Sequence, residues 1–247
     1  KSTQNNILKT DKETVEIVKQ NLENLIQTKG LNNIDTVKYL TRNSKFLRKG
    51  KEIKYLINKY EKIKYKIDWK DSDFSPYFDN IYSNLSYYYS LNNDLEKLSK
   101  NIDESLEIAE NNYNRLYFKN AYSEFLSDKA QFLLSYSKTD NQIFDKYKSL
   151  FKRAEKHLKN LEKLSVAEKN QMIKIDKDYY LDLMIVLYLD FLIENSLNVE
   201  SGTIYPLKML EFIKANKEYS LDYAYAAALS TLLQSSIIED DLSNFNF

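Results

Sequence analysis

Residues 85–108 read LSYYYSLNNDLEKLSKNIDESLEI. Leu85, Ser86 and Tyr89 stand before a polar turn, Asn92-Asn93-Asp94, and Leu98, Ile102, Ser105, Leu106 and Ile108 follow it. Spacings of three and four residues place these side chains on one face of a helix on each side of the turn. The stretch is therefore a helical hairpin closed by asparagine and aspartate, with no glycine in the connection.

The rest of the composition agrees with it. The 247 residues include 3 Gly, 2 Pro, no Cys and 1 His, against 21 Tyr and 12 Phe. All-β and α/β folds need glycine or proline at many turns, whereas helices can be joined by Asn, Asp, Ser and Lys. An all-α fold of antiparallel helix hairpins is expected. Without cysteine the chain has no disulfide framework, no thiolate zinc site and no cysteine nucleophile. No apolar run approaches the roughly 18–20 residues that span a bilayer. The best candidate, residues 183–189, is bounded by Asp182 and Asp190 and reads as a buried helix. The chain starts at Lys1 rather than Met, as expected of a fragment or a processed product.

Moving outward, residues 1–11 are polar and read as a lead-in. Thr10 and Glu13 have the spacing of a capping box, followed by the stripe Val15, Val18, Leu22, Leu25, Ile26 and a closing Gly30. Ile34, Val37, Leu40 and Leu47 mark a second helix ending before Gly50. Ile53, Leu56, Ile57, Tyr60, Ile63 and Ile67 mark a third. Residues 12–70 are thus expected to form a three-helix unit, ended by the turn at residues 71–76. Residues 71–247 read as longer helix pairs: 76–91 with 94–111, and 114–137 with 141–164. An apolar helix at 177–196 and a pair at 205–215 and 220–238 follow, the last with an alanine-rich centre.

The 85–108 hairpin resembles a tetratricopeptide (TPR) repeat. In that family a Leu-small pair and a Tyr on the first helix pack against small or apolar positions of the second. Leu85, Ser86, Tyr89, Leu98, Ile102 and Ser105 occupy those places. Leu98 stands where the family prefers Ala, the usual turn Gly is absent, and no second repeat keeps the spacing. The resemblance implies a TPR-like α-solenoid over residues 71–247, with an irregular helical bundle as the alternative. It also implies a concave groove lined by the first helix of each pair. Asn80, Ser83, Tyr87, Leu91 and Asn120 are the expected ligand-binding residues. In length, composition and TPR-like pattern the chain further resembles the sensing domains of Rgg-type peptide-pheromone receptors, which implies peptide sensing.

Chemistry is marked chiefly by absences. His157 is the single histidine, so two-histidine metal sites are excluded, and no Gly-x-Ser-x-Gly turn exists to expose a nucleophile. With three glycines, neither a P-loop nor a dinucleotide fingerprint can be formed. His157 is expected to be a surface or helix-face residue. The acid pairs Asp178/Asp182 and Asp71/Asp73 are of the kind expected by chance among 36 acids, and the second also suits a helix cap. No enzyme activity, metal or cofactor is expected.

Charge is balanced overall, 36 basic against 36 acidic, but unevenly placed. Residues 38–66 carry eleven Lys or Arg against Glu52 and Glu61, while 176–247 carry twelve acids against four lysines. Tyr39, Phe46, Tyr55, Tyr60 and Tyr65 interleave the basic run and would suit stacking on bases. Lysine predominates over arginine, which speaks against phosphate or base recognition, so nucleic acid is not the expected partner. The expected function is a non-catalytic helical scaffold binding a peptide or protein, such as the sensing part of a bacterial peptide-responsive regulator, with a cytoplasmic location favoured. The alternative is a surface or secreted helical lipoprotein that binds a host or envelope protein.

Overall fold

A computed structural model describes residues 2–48, 50–71, 73–136, 141–180, 182–184, 186–187, 204–217 and 229. Among these residues the chain is helical and forms no strand, which is the expected all-α class. They do not show TPR-like repeats. The expected helix at 220–238 lies outside the described residues, residue 229 excepted. The chain divides into two compact units, residues 1–105 and 106–247.

The first unit contains α1 (Ser2–Lys29), α2 (Ile34–Asn43), a 3-10 turn (Ser44–Leu47), α3 (Glu52–Lys66), α4 (Phe78–Leu91) and the start of α5 (Leu95–Asn111). The lead-in is not separate: α1 runs unbroken from Ser2, so Thr10 does not act as a cap. Gly30 ends α1 with φ +90°, a backbone conformation that a side chain would strain. Asn33 then caps α2, its side chain accepting from the Asp35 amide at 2.9 Å. α1 packs along α2, and α3 along α4. The three helices expected over 12–70 therefore share one unit with α4 and the first part of α5.

The turn after α4 shows how this chain stops a helix without glycine. Asn93 takes φ +54°, the Asp94 amide donates to the Tyr89 carbonyl, and the Asn93 amide donates to Ser90. This is a Schellman closure with asparagine in the left-handed position. Asp94 then accepts from the Lys97 amide at 3.2 Å and opens α5. Leu85, Ser86, Tyr89, Leu98, Ile102 and Ser105 are all buried.

One polar arrangement recurs three times in this unit. Glu23 receives Lys59 at 2.6 Å and the Tyr55 hydroxyl at 2.7 Å. Glu104 receives Lys64 at 2.7 Å and Tyr82 at 3.0 Å, and Glu61 receives Lys97 at 3.0 Å and Tyr89 at 2.7 Å. In each case the lysine also sits over the ring of the same tyrosine, 5.1, 5.2 and 5.7 Å from its centroid. Burial and the bonded carboxylate push all three phenols above their ordinary range. Burial raises the Glu23 and Glu61 carboxyls, but the bonds they receive outweigh it and hold both below the usual value.

The second unit contains the end of α5, then α6 (Leu116–Tyr136), α7 (Asn141–Glu162), α8 (Val166–Ile175) and α9 (Ile204–Ala215). α6 packs against both α7 and α8. It is accordingly apolar on more than one side, burying Phe118, Ala121, Tyr122, Phe125, Leu126, Ala130 and Leu133. Ser165 opens α8 with a complete capping box to Glu168. Phe212 of α9 stacks on Tyr180, centroids 4.1 Å apart and rings 6° from parallel.

Two stability predictions follow from the first unit. The three lysine side chains are 3, 14 and 52 % exposed for Lys64, Lys59 and Lys97. Glu104→Ala should therefore cost most, about 3 kcal/mol, because it strands a buried ammonium. Glu61→Ala should cost about 1 kcal/mol or less, with Glu23→Ala between; urea unfolding of the three variants checks the order. Tyr88 is fully buried and its hydroxyl has no hydrogen-bond partner. Tyr88→Phe should leave the fold unchanged and raise stability by about 1 kcal/mol, read as a higher urea midpoint.

Candidate functional site

Four of the five expected ligand-binding residues lie on α4 in the first unit. Asn80, Ser83, Tyr87 and Leu91 follow one another along a single stripe of that helix, Asn80, Tyr87 and Leu91 exposed and Ser83 half-buried. Tyr87 is 45 % exposed, yet its ring does not hang free. The Arg48 guanidinium lies 5.2 Å above it, Arg48 also donates to Asn84 at 3.2 Å, and the Tyr88 ring meets it edge-on at 5.6 Å. Ser83 donates to Asp79 at 3.1 Å. The fifth residue, Asn120, is in the second unit and is buried. Its amide donates to the carbonyls of Met172 and Asp176 at 3.3 and 3.4 Å, so it caps the end of α8 instead of facing a groove.

Of the aromatic side chains in the basic run, Phe46 and Tyr65 are exposed and Tyr39 is half-buried. Tyr60 is buried, Tyr55 is bonded to Glu23, and Lys59 and Lys64 are neutralised by Glu23 and Glu104. Of the acid pairs, Asp71 accepts from the Asp73 amide at 2.9 Å in an Asx-turn; it does not cap a helix, since Phe74 precedes the 3-10 turn that follows. Among the described residues no group of three His, Asp or Glu side chains is placed to hold a metal, and no helix is long and apolar enough to cross a membrane.

His157, expected at the surface or on a helix face, is instead buried on α7, 1 % exposed. Both ring nitrogens are bonded: Nδ1 to the Tyr113 hydroxyl and Nε2 to Ser123 Oγ, the latter at 2.8 Å. Its ring lies edge-on to Tyr113 and Tyr122, centroids 5.4 and 5.1 Å away, and those two rings meet each other edge-on at 5.7 Å. Arg153 donates through Nε to the Tyr122 hydroxyl and through a terminal nitrogen to Glu110, both at 3.0 Å. Beside this trio of rings opens a cleft of about 150 Å³, rimmed by Glu110, Arg153, Lys156 and Asn160.

Electrostatics fix the state of the histidine. Burial, helped by the Lys119 charge, lowers its pKa to about 3, so the ring is neutral at physiological pH. Burial pushes the Tyr113 hydroxyl above its ordinary range, against a smaller downward pull from the neighbouring Asn160. The neutral ring carries one N–H, so one of its nitrogens donates and the other accepts in the bonds to Tyr113 and Ser123. Ser123 is itself fully buried, so this Ser–His pair is closed to substrate.

No protein-family model, no curated protein and no solved structure matches this chain.

The buried neutral histidine links stability to pH. The unfolded chain takes up a proton as pH falls through 6.5, while the folded chain refuses it until about 3. Stability should therefore fall on acidification by about 1.4 kcal/mol per pH unit well below 6.5. Between pH 6.5 and 4.5 this loss precedes that of the carboxylates, whose ordinary value is 4.5 for glutamate. Urea midpoints across that window should slope downward for the native chain and be flat for His157→Gln. Equal slopes would show that the ring does take up a proton in the folded state.

Proposed function

We propose that the chain is a non-catalytic helical scaffold that recognises a peptide or protein through the exposed stripe of α4. The observation that carries this reading is Tyr87, a large aromatic side chain left 45 % exposed while Arg48 and Tyr88 hold its ring in place. A tyrosine fixed in this way offers contact area at small entropic cost, as interface anchors do. Asn80, two helical turns earlier on the same stripe, supplies an exposed amide able to pair with an extended backbone. Leu91, 46 % exposed, adds an apolar contact further along.

Leu85, Ser86, Tyr89, Leu98, Ile102 and Ser105, the positions that carry the likeness of the α4–α5 hairpin to a single TPR repeat, are buried. In that family the face carrying Tyr87 lines the ligand groove. The likeness is confined to one hairpin, so the proposed contact surface is α4 itself and not a long solenoid groove. Peptide sensing suits this stripe better than the lipoprotein alternative, because an amide and an aromatic anchor on one helix match a short extended ligand.

The test is selection from a displayed random-peptide library on the native chain. Enriched peptides should lose at least about tenfold in affinity for Tyr87→Ala. The variant's melting temperature should stay within a degree or two, since the side chain is half exposed. Peptides that bind both proteins equally, or a large loss of melting temperature, would remove Tyr87 from the recognition surface.

A further inference from the structure

The cleft beside His157 in the second unit is independent of the α4 stripe, and its lining specifies a ligand of its own. At about 150 Å³ it matches the size of cavity that takes up a single benzene ring. One side is built from the rings of Tyr113, Tyr122 and His157, which brace one another edge-on at 5.1 to 5.7 Å. His157 cannot turn, because both its nitrogens are bonded. Such a wall is organised before any ligand arrives, and ordering it costs nothing further on binding.

The rim decides the charge. Arg153 and Lys156 face a single carboxylate, Glu110, and that carboxylate is already bonded by Arg153. A guanidinium has five N–H donors, of which Arg153 uses one on Tyr122 and one on Glu110. Lys156 is exposed and has no ion-pair partner among the described residues. A cation held by an aromatic box is the obvious rival, but the rings already carry cations: Lys119 lies 5.6 Å from the Tyr113 centroid and Arg153 5.6 Å from that of Tyr122. A further positive charge would be repelled, whereas a negative one would meet the unpaired Lys156 and the spare donors of Arg153. An inorganic anion would leave the ring wall wet and the volume unfilled.

We therefore infer that this cleft binds a ring-sized organic monoanion, an aromatic carboxylate, with the ring against Tyr113 and Tyr122 and the carboxylate toward Lys156 and Arg153. Asn160 at the rim offers an amide to the same ligand.

His157 is the single histidine of the chain, so its ring Hε1 is the one histidine Hε1 signal in the proton NMR spectrum and reports on the cleft. The full chain is titrated with benzoate, and in parallel with benzylamine, benzyl alcohol and acetate. Benzoate should shift the His157 signal saturably, with the other three at least tenfold weaker. Lys156→Glu, a change at an exposed position that leaves the core untouched, should weaken benzoate at least fivefold without altering the melting temperature. A benzoate titration that leaves the His157 signal unmoved overturns the inference. So does equal binding of benzylamine, which would make the cleft a cation box, or of benzyl alcohol, which would make it an apolar pocket. Unchanged benzoate affinity in Lys156→Glu would equally overturn it.

Discussion

The lysine–glutamate–tyrosine triad is the interaction on which the first unit depends. A chain with 36 basic and 36 acidic residues and 21 tyrosines cannot keep every polar group in water and still bury a core. The triad resolves this by letting one carboxylate take an ammonium and a phenol together while the lysine covers the phenol's own ring. Tyr82 is buried and Lys64 almost so, yet Glu104 accepts from both, and Asn101 bonds Lys64, Ser86 and the Tyr82 carbonyl beside them. Hydrogen-bonded pairs of this kind are strong where water is excluded and weak where it is not. The same geometry therefore acts as a core contact at Lys64 and as little more than surface decoration at Lys97.

In the second unit the order is inverted. Arg153 occupies the centre and joins Glu110 to the Tyr122 hydroxyl while lying over the Tyr122 ring. The carboxylate stays on the rim of the cleft. In the core beside it burial, helped by the Lys119 charge, keeps His157 neutral, and Tyr113 and Ser123 satisfy its nitrogens.

Much of the fold is legible from residue spacing, and the reasons for the exceptions are physical. The α3 stripe of Leu56, Ile57, Tyr60, Ile63 and Ile67 is buried as its periodicity predicts. The α4–α5 turn follows from Asn92-Asn93-Asp94 because asparagine tolerates the left-handed conformation. Apolar periodicity does not predict α8, although Ser165 and Glu168 stand at capping-box spacing. Its apolar residues are too few and irregular to mark a face, so the cap was the sole available signal. The opposite error occurs at Thr10, where the same spacing lies inside a continuous helix. His157 could not have been placed from its neighbours: Lys156 is exposed and Leu158 buried, and the partners that bury it come from α6 and the residues just before it. Asn120 shows the same limit, since its purpose is set by carbonyls more than fifty positions away.

The three consecutive tyrosines at 87–89 show why residue counts say little about function here. Each step of a helix turns the side chain by about 100°, so one sequence feature has three different fates. Tyr89 is buried and completes a triad with Glu61 and Lys97. Tyr88 is buried beside Tyr60, with a hydroxyl that bonds nothing, and a phenylalanine would serve there as well. Tyr87 alone reaches solvent, and its ring is braced by Arg48, a residue from outside its own helix. A composition rich in tyrosine supplies more phenols than the fold needs, and some, like Tyr88, are merely accommodated. Of residues 87–89, Tyr87 is the one whose ring is both exposed and oriented by a neighbouring cation, and it is on this combination that the proposed recognition role rests.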